Sequence, residues 1–477
     1  MQFDPYKLLM DFALVSVLLF VAQIVRARVK WVQRLHVPAA LIAGFLGLFL
    51  GKSFLGHIWE SAAGYAIPFS DAISYYPYML IVVLFGTLFL GNRSTDSPRD
   101  TVRKVGDTFL LNMGAEFGGF GVALLIGGGL LVIFFPHISS SFAILQPAGF
   151  VGGFGYAAAI GTSLQNAPDS VWQGQDAVSI GQTFATIGLL AAIFGGLAAI
   201  NYGARRGYTR FITNVGELPE EMRTGLIREP HQPSMGKSTL SSACIDPLTW
   251  HVLLVLITVG GGYYSYQLAK YLWPAIELPM FCLSMLTGVL LQGAIRKLGL
   301  QQFVDKDVVT RIGGVSTDYL VAFGIASINI AVVLNFIVPI ILLSVLGIAF
   351  VFFYLFVICK RLFQNYWFER GIFVFGWSLG VVAMSVTLLR IVDPNFRSRT
   401  LEDYGMAYVV ISMVEIAIIA FTPMIVALGF ANGNFWYTLV PGAVMLAICV
   451  AFVATAYLRY GVQSRDGAAR RVGEISS

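Results

Sequence analysis

The sequence predicts an all-α integral membrane protein of about 11 transmembrane helices, and three observations carry that prediction. The 477-residue chain is 57% hydrophobic and only 12% charged, with a mean hydropathy of +0.75. Soluble domains carry about twice that charged fraction, so lipid must face much of this surface. Apolar runs of about 20 residues recur along the whole length, each long enough to cross a hydrocarbon core about 30 Å thick. The 31 Lys and Arg residues then partition by loop: with such spans drawn, all but Lys7, Lys52 and Lys270 fall on one side of the membrane.

Spans are expected at 8–25, 37–51, 76–91, 107–135, 178–202, 249–272, 278–295, 315–334, 337–359, 405–428 and 436–457. The first does not read as a cleaved signal, because Arg26, Arg28 and Lys30 follow its apolar core instead of preceding it. The positive-inside rule places the crowded side in the cytoplasm, with the N-terminus outside and the C-terminus inside. The net charge of +5 is thus a topology signal and not a nucleic-acid footprint. Cys244, Cys282, Cys359 and Cys449 are scattered, and so are the five histidines; neither a zinc site nor a disulfide framework is suggested. HQPSMGKS, from His231, lacks the first glycine of a phosphate loop, and GFGYAA, from Gly153, has no soluble strand–helix unit around it. Neither nucleotide motif is accepted, and no enzyme constellation appears.

Two further apolar stretches, 147–164 and 371–388, break the charge pattern if counted as crossings. Each reads as a re-entrant segment that enters the membrane and returns to the same side. Glycine costs a helix about 1 kcal/mol relative to alanine, so the cluster Gly149, Gly152, Gly153, Gly155 fits a broken element. Irregular backbone at membrane depth persists only where it is buried in protein or lines a wet cavity.

Three signatures recur in order. VPAALIAGFLG at Val37 pairs with LPMFCLSMLTG at Leu278, and VLFGTL at Val83 with VAFGIA at Val321. Phe154-Gly155-Tyr156 pairs with Phe375-Gly376-Trp377. Each half then reads as four spans, a glycine-rich re-entrant loop and a fifth span, and an odd count makes the halves inverted. The expected organisation is a first repeat at 1–202, a cytoplasmic linker at 203–248, a second repeat at 249–429, and an extra helix with a basic tail at 430–477. Inverted repeats with paired broken elements point to a secondary transporter. Half-helix N-termini offer free N–H groups to a carboxylate, and unwound carbonyls and hydroxyls suit a hard cation such as sodium.

These stretches resemble the bacterial sodium/glutamate symporters. The resemblance covers most of residues 1–430 and rests on GGFGYAAA at Gly152, ATIGLLAAIFGG at Ala185, IELPMFCLSMLTGVLL at Ile276 and QNYWFERGIFVFGWSLG at Gln364. It implies a homodimer with a fixed scaffold and a mobile, elevator-like carrier in each protomer. It also implies sodium-driven uptake of glutamate across a bacterial inner membrane, with Na+ as coupling ion and no other cofactor. The chain departs from the family pattern at Phe154, where a His is usual, and at Gly380-Val-Val-Ala, where a Gly-Ala-Thr-Pro run is usual. The last helix is also additional. These departures fall in the loops, so the substrate is written as glutamate or a related small carboxylate.

The candidate substrate residues are Gly152, Gly153, Gly155, Thr162, Ser163 and Asn166 in and after the first loop. In and after the second loop they are Gly376, Trp377, Ser378, Gly380, Ser385, Thr387 and Arg390. Against this stands a reading of the glycines as helix-packing contacts, of the hydroxyls as back-bonded to helix carbonyls, and of Arg390 as a topology anchor. The ion-coupling candidates are Asn112, Glu116, Gln182, Thr186 and Glu415. Ionisable groups inside spans are costly and mark function by default, although a polar contact between helices fits them as well. Proton coupling through Glu116 or Glu415, transport of another organic anion, and a channel or membrane sensor are the alternatives.

Overall fold

The computed structural model describes residues 5–35, 37–51, 54–56, 69–92, 106–174, 176–211, 224–227, 229, 232–272, 279–394 and 396–461. The basic loop at 93–105, much of the expected linker and the tail from residue 462 lie outside the described residues. So does His231. Among the described residues all regular structure is helical, and nine helices are long and apolar enough to cross a membrane. This is a multi-pass membrane protein.

In chain order the principal helices are α1 (Pro5–Arg28), α2 (Ala39–Leu50), α3 (Tyr76–Thr87), α4 (Gly106–Phe134), α5 (Leu145–Asn166), α6 (Asp176–Arg205) and α7 (Pro247–Leu272). They continue with α8 (Met280–Lys297), α9 (Lys306–Ala326), α10 (Ile337–Leu362), α11 (Trp367–Val392), α12 (Thr400–Ala427) and α13 (Trp436–Gly461). Helices occur at all 11 expected spans, and the two stretches set aside as re-entrant are α5 and α11. The span expected at 315–334 begins earlier, at Lys306, because Asp305 caps it by accepting from the amides of Asp307 (2.9 Å) and Val308 (3.1 Å). Lys306 turns back to donate to the carbonyls of Leu88 (2.8 Å) and Leu90 (3.2 Å) at the end of α3. That settles a charge near an apolar helix by giving it the C-terminal carbonyls that need a donor. α4 carries a π-helical turn at Val122–Gly127 and α10 carries one at Tyr354–Cys359.

Two compact units cut across the sequence repeats. Unit 1 comprises 1–95, 154–183 and 220–335; unit 2 comprises 96–153, 184–219 and 336–477. Unit 1 thus takes the first three spans of each expected repeat, and unit 2 takes the fourth span of each together with α11, α12 and α13. Both α5 and α6 run from one unit into the other.

Unit 1 packs α1, α2, α3 and α9 around a core of Val15, Leu18, Ala43, Phe69, Tyr76 and Phe323. A methyl group on Gly47 would lie 2.8 Å from Ala326 Cβ, so α2 and α9 approach with almost no side chain between them. Its buried carboxylate, Asp11, accepts from the Ser70 amide (2.9 Å), the Ser70 hydroxyl and the Tyr76 hydroxyl (2.7 Å).

Unit 2 is organised along α4. The additional helix α13 lies antiparallel on it, with Gly106 beside Tyr460, Gly118 beside Cys449, Gly121 against the Leu446 backbone, Leu125 against Gly442 and Gly128 beside Thr438. Each pair sums to nearly the same number, the signature of one continuous antiparallel seam built on small residues. The helix outside the repeat is therefore a packed part of unit 2. At the start of α4, Asp107 pairs with Arg370 of α11 at 2.6 Å.

Candidate transport site

Both glycine-rich elements are broken helices. In α11 the break is Gly380 (φ −148°, ψ 32°) followed by Val381 (φ 60°, ψ 174°). The second conformation belongs almost wholly to glycine, and a β-branched residue held there stores strain of about 1–3 kcal/mol. Contacts with α6 show that the chain reverses at this point. Approaching the break, the Phe368 ring lies by Gly203, the Phe375 ring by Gly195 and the Leu379 carbonyl by Gly188. Past it the order runs backwards, with Gly380 by Ala192 and Leu388 by Gly196. The arms are backbone-close: a methyl group on Gly376 would sit 2.8 Å from the Ser385 amide nitrogen. α11 is a helical hairpin with its tip at Gly380–Val381.

In α5 the break is Gly153 (φ 61°, ψ −155°), a backbone that glycine adopts without penalty. The arm before it belongs to unit 2, where Gly149 packs on Phe184 and Ala185 of α6. A methyl group on Gly153 would lie 2.7 Å from Val381 Cγ1, so within unit 2 the two breaks adjoin. The arm after the break belongs to unit 1, where Ala157 packs on Gly181 and Gly161 on Val178.

Unit 2 accordingly gathers Gly152 and Gly153 with Gly376, Trp377, Ser378, Gly380 and Ser385. Trp377 is buried and stands edge-on to Tyr404, with ring centroids 6.1 Å apart. Ser378 Oγ is buried without a hydrogen-bond partner, whereas the Ser385 hydroxyl turns back towards the Val381 carbonyl (3.4 Å). Thr387 is likewise back-bonded, to the Ala383 carbonyl at 2.9 Å. Arg390 is exposed and lies over the Phe396 ring, 5.3 Å from its centroid.

The remaining first-loop candidates belong to unit 1. Gly155 packs directly on Ile81. Thr162, Ser163 and Asn166 line a cavity of about 110 Å³ with Tyr78, Tyr263 and Tyr266. Gln182, on the α6 segment of that unit, donates to the Phe154 carbonyl at 3.2 Å and so holds the first turn after the break. A larger space in unit 2, between α12 and α13, is lined almost wholly by apolar side chains such as Phe117, Val414 and Val444. It offers a carboxylate nothing to bind.

The other ion-coupling candidates lie in unit 2. Thr186 is buried on α6. Asn112 and Glu116, one turn apart on α4, are both buried, and neither oxygen of the Glu116 carboxyl meets a hydrogen-bond donor. α12, which packs against α4, carries the buried Glu415 and Tyr404 together with Tyr408. These two tyrosines are functional candidates that sequence reasoning missed. The signal was present, since 404, 408, 411/412 and 415 recur at helical spacing and mark one face of α12. Among the described residues no group of three His, Cys, Asp or Glu is placed to hold a metal ion.

The profile of one family, described as sodium/glutamate symporter, matches residues 5–397. No curated protein matches the chain. The matched region includes both broken helices and ends before α12 and α13.

Proposed function

The chain belongs to the sodium/glutamate symporter family, and on that premise we propose that it takes up glutamate or a related small carboxylate across a bacterial inner membrane, driven by sodium. The observation that carries this reading is the meeting of the two helix breaks, Gly153 beside Val381, inside unit 2. A half-helix begins just past the Gly380–Val381 tip, and its first N–H groups have no intrahelical acceptor. They and the helix dipole favour a carboxylate. Gly152, Gly153, Gly376 and Gly380 let a ligand approach the backbone, and Trp377 walls the tip. The Ser378 hydroxyl, buried with no partner, supplies an oxygen for substrate or sodium, with Ser385 on the facing arm.

In this scheme Gly155, Thr162, Ser163 and Asn166 belong to the approach route of unit 1, and Thr387 and Arg390 to the outer end of the α11 hairpin. Asn112, Gln182 and Thr186 are sodium ligands in the same reading. Unit 2, which contains both breaks, is the moving carrier of an elevator mechanism, unit 1 is the scaffold, and the protein works as a homodimer. The N-terminus is outside and the C-terminus cytoplasmic.

The test is uptake of radiolabelled glutamate by the purified protein in liposomes, under an inward sodium or proton gradient imposed separately. Unlabelled aspartate and other small carboxylates serve as competitors. Accumulation that requires the sodium gradient and is lost on Gly153→Ala supports the assignment. Folded protein that accumulates no carboxylate under either gradient refutes it.

A further inference from the structure

One end of unit 2 carries an aromatic platform with cations set over it, and the broken helices make no use of it. The platform is built from the C-terminus of α6. Gly207, at φ +68°, ends that helix in the left-handed conformation that glycine takes without strain. The Tyr208 amide then donates back to the Gly203 carbonyl (2.8 Å), and the Gly207 amide to the Ala204 carbonyl (3.1 Å). This double closure satisfies carbonyls at the end of α6 and folds Tyr208 back across it. The Tyr208 ring lies edge-on to Tyr202 at 6.2 Å and to Trp367, the first residue of α11, at 5.1 Å. Tyr202 in turn meets Phe356 of α10 edge-on at 5.6 Å.

Two cations are pinned on this surface. Lys360, near the end of α10, donates to the Tyr208 hydroxyl (3.1 Å). It also stands over the Tyr208 and Trp367 rings, 4.6 and 5.8 Å from their centroids. Arg206 stands over Tyr202, 5.5 Å from the ring centroid. Both residues are exposed, as are their chain neighbours Arg205 and Arg361. None of the four forms an ion pair among the described residues. The acid nearest in the chain, Glu369, is buried and accepts from the Arg210 amide (2.7 Å). The patch is therefore rich in positive charge and short of an anion.

What supplies the anion follows from where the patch lies. Both α6 and α10 are long and apolar enough to span a membrane, so their ends lie at the lipid–water boundary, where tyrosine and tryptophan are enriched. The anion held at that boundary is the phosphodiester of an acidic phospholipid, and basic pockets between spanning helices suit such head groups. An arginine fork takes two phosphate oxygens, and a lysine acts on them as a point charge. Phe356, beside Tyr202, offers the acyl chains an apolar flank.

We propose that this platform binds the head group of an anionic glycerophospholipid, with Arg206 and Lys360 supplying the charge. Tyr208 is the positioning residue that holds Lys360 in place. The proposal needs only that the chain spans a membrane, and it is independent of the substrate and of the coupling ion.

The experiment is native mass spectrometry of the full-length protein in detergent, titrated separately with dioleoyl phosphatidylglycerol, dioleoyl phosphatidylcholine and inorganic phosphate. Wild type should bind phosphatidylglycerol about tenfold more tightly than phosphatidylcholine, or better. Each cation at a lipid surface contributes about fivefold in affinity, so Arg206→Gln with Lys360→Gln should weaken phosphatidylglycerol binding about 25-fold. Binding of phosphatidylcholine and the thermal unfolding of the protein should not change, because both side chains are exposed. Arg296→Gln with Lys297→Gln removes the same charge at the end of α8 and should leave lipid binding as it was. Tyr208→Phe keeps the ring but releases Lys360, and should weaken phosphatidylglycerol binding about threefold. Equal affinity for the two lipids, or equal losses in the two charge-removing variants, overturns the proposal, since net charge alone would then explain the binding. Inorganic phosphate that displaces phosphatidylglycerol at equal concentration also overturns it, because the site would then serve a soluble anion.

Discussion

Asp11 in unit 1 and Glu116 in unit 2 are both carboxyl groups buried within membrane-spanning helices, and their surroundings are opposite. Asp11 is met by three donors from Ser70 and Tyr76. Glu116 is met by none. An ionisable residue in a span is a functional candidate by default, but burial alone does not decide the matter. Asp11 has every feature of a structural knot, since both its oxygens accept hydrogen bonds that tie the 70–76 segment to α1. Glu116 has acceptors and no donor, which suits a group whose proton or counter-ion comes and goes.

The largest effect that tests this contrast is on Asp11. Replacing it with alanine removes the acceptor shared by the Ser70 amide, the Ser70 hydroxyl and the Tyr76 hydroxyl, and of these only the two hydroxyls, 3.4 Å apart, can pair with each other. Each stranded donor costs about 1–3 kcal/mol, so Asp11→Ala is expected to lower stability by about 3–5 kcal/mol. Thermal unfolding of the purified protein in detergent checks it. A melting temperature within a degree or two of wild type would mean that the donors find other partners, and the contrast would collapse.

The backbone gives the second test. At Gly47 of unit 1 the small residue serves helix packing, whereas Gly153 of unit 2 has a positive φ and faces Val381. Gly153→Ala adds positive-φ backbone strain of about 1–3 kcal/mol and a methyl group 2.7 Å from Val381 Cγ1. Stability should fall by about 2 kcal/mol while uptake in liposomes falls more than tenfold, because the tip itself is displaced. Equal, small losses in both would reduce Gly153 to a packing glycine.

Much of this was legible in the sequence, for physical reasons that also mark where legibility stops. Lipid demands long apolar runs, so the spans could be read off. Clustered glycine weakens a helix, so α5 and α11 were recognisable as broken. The break in α11, however, puts a positive φ on Val381, which no local propensity predicts; it goes with the close packing of Gly376 against Ser385 across the hairpin. The donors to Asp11 come from 59 and 65 residues away, beyond any periodicity. The first-loop candidates were contiguous in sequence, yet Gly153 and Asn166 belong to different compact units. The early start of α9 was written in Asp305, a capping residue, but hydropathy alone outweighed it.

A smaller effect separates two tyrosines. Tyr76→Phe removes one hydrogen bond to Asp11 (2.7 Å) and should cost about 1–2 kcal/mol. Tyr404→Phe removes a hydroxyl that has no partner and should leave the melting temperature unchanged or slightly raised. The two variants measured side by side in the same detergent give the difference directly. Equal losses would mean that the Tyr404 hydroxyl is hydrogen-bonded in the membrane.

The smallest expected change in stability is also the most diagnostic. Glu116→Gln keeps the shape of the side chain, replaces a carboxyl whose oxygens meet no donor, and introduces two N–H donors one helical turn from Asn112 Oδ1, which also lacks one. Buried polar groups cost most when unsatisfied, so the substitution relieves the present imbalance. Stability, read by thermal unfolding, should therefore stay within about 1 kcal/mol of wild type, on the favourable side. At the same time its dependence on pH should flatten, because a buried carboxyl is removed. Asp11→Asn, the matched change in unit 1, should instead destabilise, since an amide nitrogen would face hydrogen-bond donors. If Glu116→Gln destabilised the protein as much as Asp11→Asn, both carboxyls would be structural, and the division of labour between the two units would have to be sought elsewhere.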